Sequence, residues 1–156
     1  MIPIQMQIGP WLVEIGVSSE YPNSSLAGTS SDGSVLVGTR SDRPFRWKNG
    51  VTTDLFLDDI DSDVYGGVVS PDGSVVVGRS WNASNPDAKH IFRWSISSTD
   101  EVTRQQIGED LPADSWFEVD YINTNGTVAA GNVSWYDAGQ GQSGGFAWHW
   151  TFWGGV

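Results

Sequence analysis

Ser31-Asp32-Gly33-Ser34-Val35-Leu36-Val37-Gly38 returns as Pro71-Asp72-Gly73-Ser74-Val75-Val76-Val77-Gly78 and again as Thr124-Asn125-Gly126-Thr127-Val128-Ala129-Ala130-Gly131. An aromatic pair follows each copy: Phe45-Arg46-Trp47, Phe92-Arg93-Trp94 and Phe146-Ala147-Trp148. A recurring unit outranks local propensity, because it names the building block of the whole fold. Asp-Gly or Asn-Gly suits the central pair of a two-residue hairpin turn, where both residues take positive φ. The apolar triplet behind it, closed by a second Gly, reads as a short strand buried on both faces.

Working outward, Ser25 to Gly28, Gly67 to Val69 and Val119 to Ile122 supply the strand before each turn. The alternating Phe-x-Trp pattern sends both rings to one face and makes a third strand. After Trp47, Lys48-Asn49-Gly50 turns the chain into Val51 to Leu55, a fourth strand. The corresponding stretch of the second unit carries Ser98-Thr99-Asp100-Glu101, which matches a helix capping box. The repeat register outweighs that local signal and assigns Val102 to Ile107 to a fourth strand.

Antiparallel four-stranded units spaced 40 to 53 residues apart, from Gly33 to Gly73 to Gly126, have the dimensions of β-propeller blades. The chain of 156 residues is therefore read as one all-β domain of three propeller-type blades, with units of about 17–57, 58–108 and 109–156. Trp11-Leu12-Val13-Glu14-Ile15-Gly16 reads as an additional fourth strand, so that residues 11–16 complete the C-terminal blade. Three blades are fewer than the usual four to eight, which predicts either a homo-oligomer, such as a six-bladed dimer, or a compact non-propeller arrangement of the same strands. A fragment of a longer repeat protein fits the same pattern.

The run Asp-Gly-Ser-Val-x-Val-Gly, Phe-Arg-Trp, a Gly turn and a closing Ile-Gly or Leu resembles the repeat of the HAF family of probable extracellular repeat proteins, over about Trp11 to Val156. That resemblance implies a propeller-like protein, often secreted or surface-attached, without a defined activity. The third copy departs from it at Asn125, Ala129-Ala130 and Ala147.

Composition bounds the function. Eight Lys plus Arg against 19 Asp plus Glu give a net charge of −11, which opposes binding to a phosphate backbone. With no Cys there is no disulfide framework, thiolate metal site or thiol nucleophile. No apolar run approaches a membrane span and Met1 to Pro10 lack a signal-peptide pattern, so the chain as given reads as soluble. Gly-x-Ser-x-Gly and His-Glu-x-x-His are absent, and His90 and His149 are the only imidazoles, which favours a non-catalytic protein over a propeller-type glycoside hydrolase.

The recurring rings read as core, and Arg46 and Arg93 between them as bridges to a neighbouring unit. Trp81, Asn82, Trp135 and Tyr136 differ. They fall in two polar insertions between the second and third strands, Arg79 to His90 and Asn132 to Gly145, outside the repeated pattern. Indoles beside amides and carboxylates suit stacking on a sugar face while its hydroxyls are hydrogen-bonded. These residues are the candidate glycan or small-ligand site; the alternative is a purely structural or protein-interaction module. Asp58, Asp59, Asp61 and Asp63 form the densest acidic cluster, and a Ca²⁺ ion would draw on Asp59, Asp61 and Asp63. The full calcium-hand loop is missing, with Val64 and Ser70 where its Gly and Glu belong, so a solvated acidic loop is the preferred reading and no cofactor is assigned.

Overall fold

The computed structural model describes residues 15, 19–20, 22–41, 43–55, 64–82, 85–111 and 115–152. All regular structure among them is β. The first sheet is a meander of β1 (Ser24–Thr29), β2 (Val35–Arg40), β3 (Arg43–Lys48) and β4 (Val51–Asp54). The second repeats it with β5 (Val64–Val69), β6 (Val75–Asn82), β7 (Asn85–Ile96) and β8 (Val102–Leu111). The third has β9 (Ser115–Ile122), β10 (Val128–Asp137) and β11 (Gln142–Thr151). Every pairing is antiparallel, and the three sheets are propeller-type blades. The closing strand expected at residues 11–16 lies outside the described residues, apart from Ile15.

The repeated Asp-Gly turn is built differently from the two-residue hairpin that the dipeptide suggests. Ser30 N–H donates to Val35 O at 2.9 Å and Gly33 N–H to Ser30 O at 3.0 Å, so four residues span the turn. Positive φ falls on Gly33, Gly73 and Gly126, and on neither Asp nor Asn beside them. The carboxylate of Asp32 is free to cap the turn instead, accepting from Ser30 Oγ at 2.7 Å, Ser34 N at 3.0 Å and Ser34 Oγ at 2.8 Å, the local bonding that makes Asp a turn residue. Asp72 repeats this with Ser70 and Ser74. In the third turn Asn123 and Asn125 do the work by accepting from Thr127 N–H at 2.8 and 3.3 Å. The two-residue reading holds at Asn49-Gly50, where both φ are positive.

Consecutive sheets stack face to face and share the middle one. Val35, Val37 and Leu55 pack on Val69, Val76, Phe92, Trp94 and Ile96. Val75, Val77, Ile91 and Ile107 pack on Phe117, Ile122, Ala129 and Val133. Side-chain alternation within Val75-Val76-Val77 thus feeds two cores from one strand, each buried Val contributing about 1.5–3 kcal/mol over an exposed one.

Each interface is locked at its turn. A Cβ on Gly73 would lie 2.6 Å from Val35 Cγ2, and one on Gly126 2.4 Å from Val75 Cβ, so the bare backbone of one unit's turn seats on the first valine of the unit before it. Glycine is required there by space as well as by φ. The expected arginine bridges complete the lock: Arg46 Nη1 reaches Asp100 Oδ1 at 3.0 Å in the second sheet, and Arg93 Nε donates to Gly126 O at 3.1 Å in the third. Burial pushes the Arg93 pKa below the usual guanidinium value. The capping-box residues form a turn in which Ser97 Oγ accepts from Glu101 N–H at 3.0 Å, and β8 follows as the fourth strand.

The third sheet corrects the aromatic register. Phe45 stands opposite Gly38 and Phe92 opposite Gly78, whereas Gly131 stands opposite Trp148 and Ala129 opposite Trp150. Trp148-His149-Trp150 therefore fills the Phe-Arg-Trp slot, not Phe146-Ala147-Trp148. Phe146, two residues outside that slot, is 57% exposed.

Candidate functional site

The polar insertions are not irregular loops. β6 and β7 continue their ladder to Asn82 and Asn85, and β10 and β11 to Asp137 and Gln142, because hydrogen-bonded hairpin arms satisfy backbone groups that a loop would leave to water. The second arm turns at Asp137, whose carboxylate accepts from Gly139 N–H at 2.8 Å and Gln140 N–H at 3.1 Å, with Gly141 at φ 63°. Trp81, Asn82, Trp135 and Tyr136 consequently sit on strands.

Trp135 and Tyr136 line an open concavity of about 540 Å³ together with Trp116, Ser134, Ser143 and Gly144. The strand register sets these residues side by side. Trp135 is opposite Gly144 and Tyr136 opposite Ser143, while Ser134 is opposite Trp116. The Trp135 indole lies across Gly144, where a Cβ would come within 2.5 Å of its Cζ2; the missing side chain gives the ring its seat. Trp116, Trp135 and Tyr136 are 55%, 38% and 57% exposed.

Trp116 was not among the residues singled out from sequence, although its strand holds the signal. Phe117 is buried, and alternation then sends Trp116 to the opposite face. The Arg79 guanidinium stacks 4.7 Å from the Trp116 ring centroid and donates to Phe117 O at 2.6 Å, which holds the indole edge of the concavity against the second sheet.

Trp81 and Asn82 lie on the neighbouring arm. Trp81 is opposite Lys89, Lys89 Nζ donates to Ser115 O, and Ser115 is opposite Trp135, so the two arms are joined at their bases. The side chains of Trp81 and Asn82 lie outside the described ones. Asp59, Asp61 and Asp63 lie outside the described residues, and no group of three or more His, Cys, Asp or Glu able to hold a metal occurs among those described. His149 stands opposite Ala130 on the third sheet and His90 opposite Ser80 on the second.

Chemically the concavity offers two indoles, a phenol and two serine hydroxyls. Among the described residues no helix is long and apolar enough to cross a membrane. No protein-family model matches the chain, and no curated protein matches it. Among solved structures it is similar to TolB from Acinetobacter baumannii, with a TM-score of 0.47 and 17% identity over 81% of this chain and 32% of that one. It is also similar to the putative TolB from Agrobacterium tumefaciens, with a TM-score of 0.46 and 15% identity over 83% of this chain and 59% of that one. The chain spans about a third of the first and about three-fifths of the second.

Proposed function

We propose that this chain is a non-catalytic binding module whose third blade takes a neutral, hydroxyl-rich ligand such as a glycan. One observation carries the reading: Trp116, Trp135 and Tyr136, all exposed, surround a single concavity that also presents Ser134 and Ser143. Aromatic faces offer a sugar ring an apolar platform, and hydroxyls at its rim fix orientation by hydrogen bonding. The HAF-type repeat assignment belongs to the same proposal and rests on the residue pattern.

Titration of intrinsic tryptophan fluorescence against a panel of neutral oligosaccharides tests it. A bound glycan shifts the emission, and Trp135→Ala or Trp116→Ala weakens binding at least about tenfold, the loss of about 1.4 kcal/mol of stacking. Absence of binding across the panel, or an affinity unchanged from the unmodified chain in both concavity variants, overturns the proposal.

A further inference from the structure

Asn-Gly occurs twice in this chain, at Asn49-Gly50 and Asn125-Gly126, and the fold treats the two pairs in opposite ways. Both asparagines are exposed, but Gly50 is exposed as well whereas Gly126 is buried. That difference bears on a reaction of the pair itself, in which the glycine nitrogen attacks the amide carbon of the preceding side chain. Glycine is the residue best suited to supply that nitrogen, because it has no Cβ to obstruct the approach.

At the turn of the third blade both reacting groups are held. Gly126 N–H donates to Asn123 O at 3.1 Å, and Asn125 Oδ1 accepts from Thr127 N at 3.3 Å and from Thr127 Oγ1 at 2.8 Å. Asn123 fixes Thr127 in turn, its Oδ1 accepting from Thr127 N at 2.8 Å and its Nδ2 donating to Thr127 Oγ1 at 3.0 Å. Gly126 is also seated on Val75, so an added carbon finds no room there. The hairpin between β3 and β4 lacks these restraints. Among the described residues the Gly50 N–H has no acceptor, and a Cβ on Gly50 would meet nothing within 4 Å. Asn49 holds φ 53°, the left-handed region that disfavours a residue with a Cβ, so the tip gives up little when the Asn49-Gly50 peptide plane turns.

We propose that Asn49 is a self-modification site, converted by the Gly50 nitrogen and water into aspartate and isoaspartate, while Asn125 stays an amide. The Gly50 nitrogen bonds to Asn49 Cγ, the Cγ–Nδ2 bond breaks, and the Gly50 proton leaves with Nδ2 as ammonia, closing a succinimide ring. Water then opens the ring, and no oxidant or reductant takes part. Attack of water at Cγ restores a normal peptide with aspartate. Attack at the main-chain carbonyl leaves Gly50 joined through Cγ, which adds a methylene to the backbone that the open hairpin tip accommodates. Either product sets a carboxylate next to Lys48, whose Nζ lies 3.8 Å from Asp100 Oδ1 across the junction of the first two blades. The new charge competes for Lys48 and leaves the closer Arg46–Asp100 pair, at 3.0 Å, to hold that junction.

Peptide mapping of the folded full chain, aged in mildly alkaline buffer, tests the site, with fragmentation that assigns each conversion to its residue and distinguishes aspartate from isoaspartate. Conversion at Asn49 is expected to outpace that at Asn125 by at least about tenfold, because the bonds at Gly126 and Asn125 must open before the groups can meet. The same chain aged in guanidinium chloride is expected to convert both pairs at similar rates, since the reacting residues are then alike and only the fold has been removed. Equal rates at the two pairs in the folded chain overturn the proposal. So does an Asn49 that stays an amide in the folded chain over the time in which it converts in denaturant.

Discussion

The second and third sheets grow from the same repeat, yet one is covered on both sides and the other shows a face to solvent. In the second sheet Val76 faces the first blade while Val75 and Val77 face the third. In the third sheet Ala129 and Val133 face inward, but the opposite side carries Trp116, Tyr121 and Tyr136 at 55%, 56% and 57% exposure. The contrast teaches that the turn pattern places strands, while the residues between the pattern positions decide what each face meets. Where Val68, Val77 and Arg93 make an interior, Tyr121, Ala130 and His149 make a surface.

The largest test compares two neighbours on one strand. Phe117→Ala is expected to destabilise the fold by about 3–5 kcal/mol through the cavity it opens, whereas Trp116→Ala costs below about 1 kcal/mol, the loss of the stacked Arg79. Urea unfolding measures both, and equal costs would erase the distinction between the two faces. A sharper comparison uses two turn glycines of the third sheet, both at positive φ. Gly126→Ala drives a methyl into Val75 and is expected to cost about 3 kcal/mol from strain and overpacking together. Gly141→Ala meets nothing within 4 Å and is expected to cost about 1 kcal/mol, from φ alone. If thermal melts place the two variants together, the turn-on-valine contact does not hold the blades.

The smallest effect separates the turns by acid. Hydrogen bonds from the Ser30 hydroxyl, then from the Ser34 amide and hydroxyl, hold the Asp32 carboxyl down to about 2. For Asp72 burial pushes upward, but the bonds from Ser70 and Ser74 outweigh it and the net shift is downward. Both carboxylates thus stabilise their turns fully above the unfolded value of about 3.9, and that contribution is lost as pH falls toward the lowered folded values. Asn125 does not titrate. Amide exchange followed from about pH 5 downward should show Ser34 and Ser74 losing protection while Thr127 keeps it; parallel loss at all three turns would falsify the assignment.

Much of the fold was legible because Asp-Gly or Asn-Gly recurs before a Val and a closing Gly. The Asn49-Gly50 hairpin and the β8 strand could be placed for the same reason. The aromatic register of the third sheet was harder, and the cause is geometric. A slip of one residue turns every side chain to the wrong face, but a slip of two preserves the faces, so Phe146-Ala147-Trp148 and Trp148-His149-Trp150 fit the alternation equally. The missing constraint sat in Asp137 to Gln142: centring a hairpin on that turn pairs Gly131 with Trp148. Polar composition also concealed the arms, since Ser, Asn and Gly suggest loops although a ladder can run through them. Trp135 and Tyr136, which line the concavity, stood out in the sequence because indole and phenol rings outside the core pattern have no repeated packing position in it. Trp116 was overlooked because the sequence does not show which strand lies beside Trp135.

The valine triplet of β6 has a consequence for how the molecule comes apart. Because Val75, Val76 and Val77 belong alternately to both cores, the middle blade cannot loosen without exposing apolar surface on each side. In arrays whose units touch only their neighbours, stability is a sum of unit and interface terms and the ends fray first. With the two cores among the described residues both anchored on one strand, their loss merges into a single cooperative event, and a chain cut before β9 would retain its first core while baring Val75 and Val77 to water.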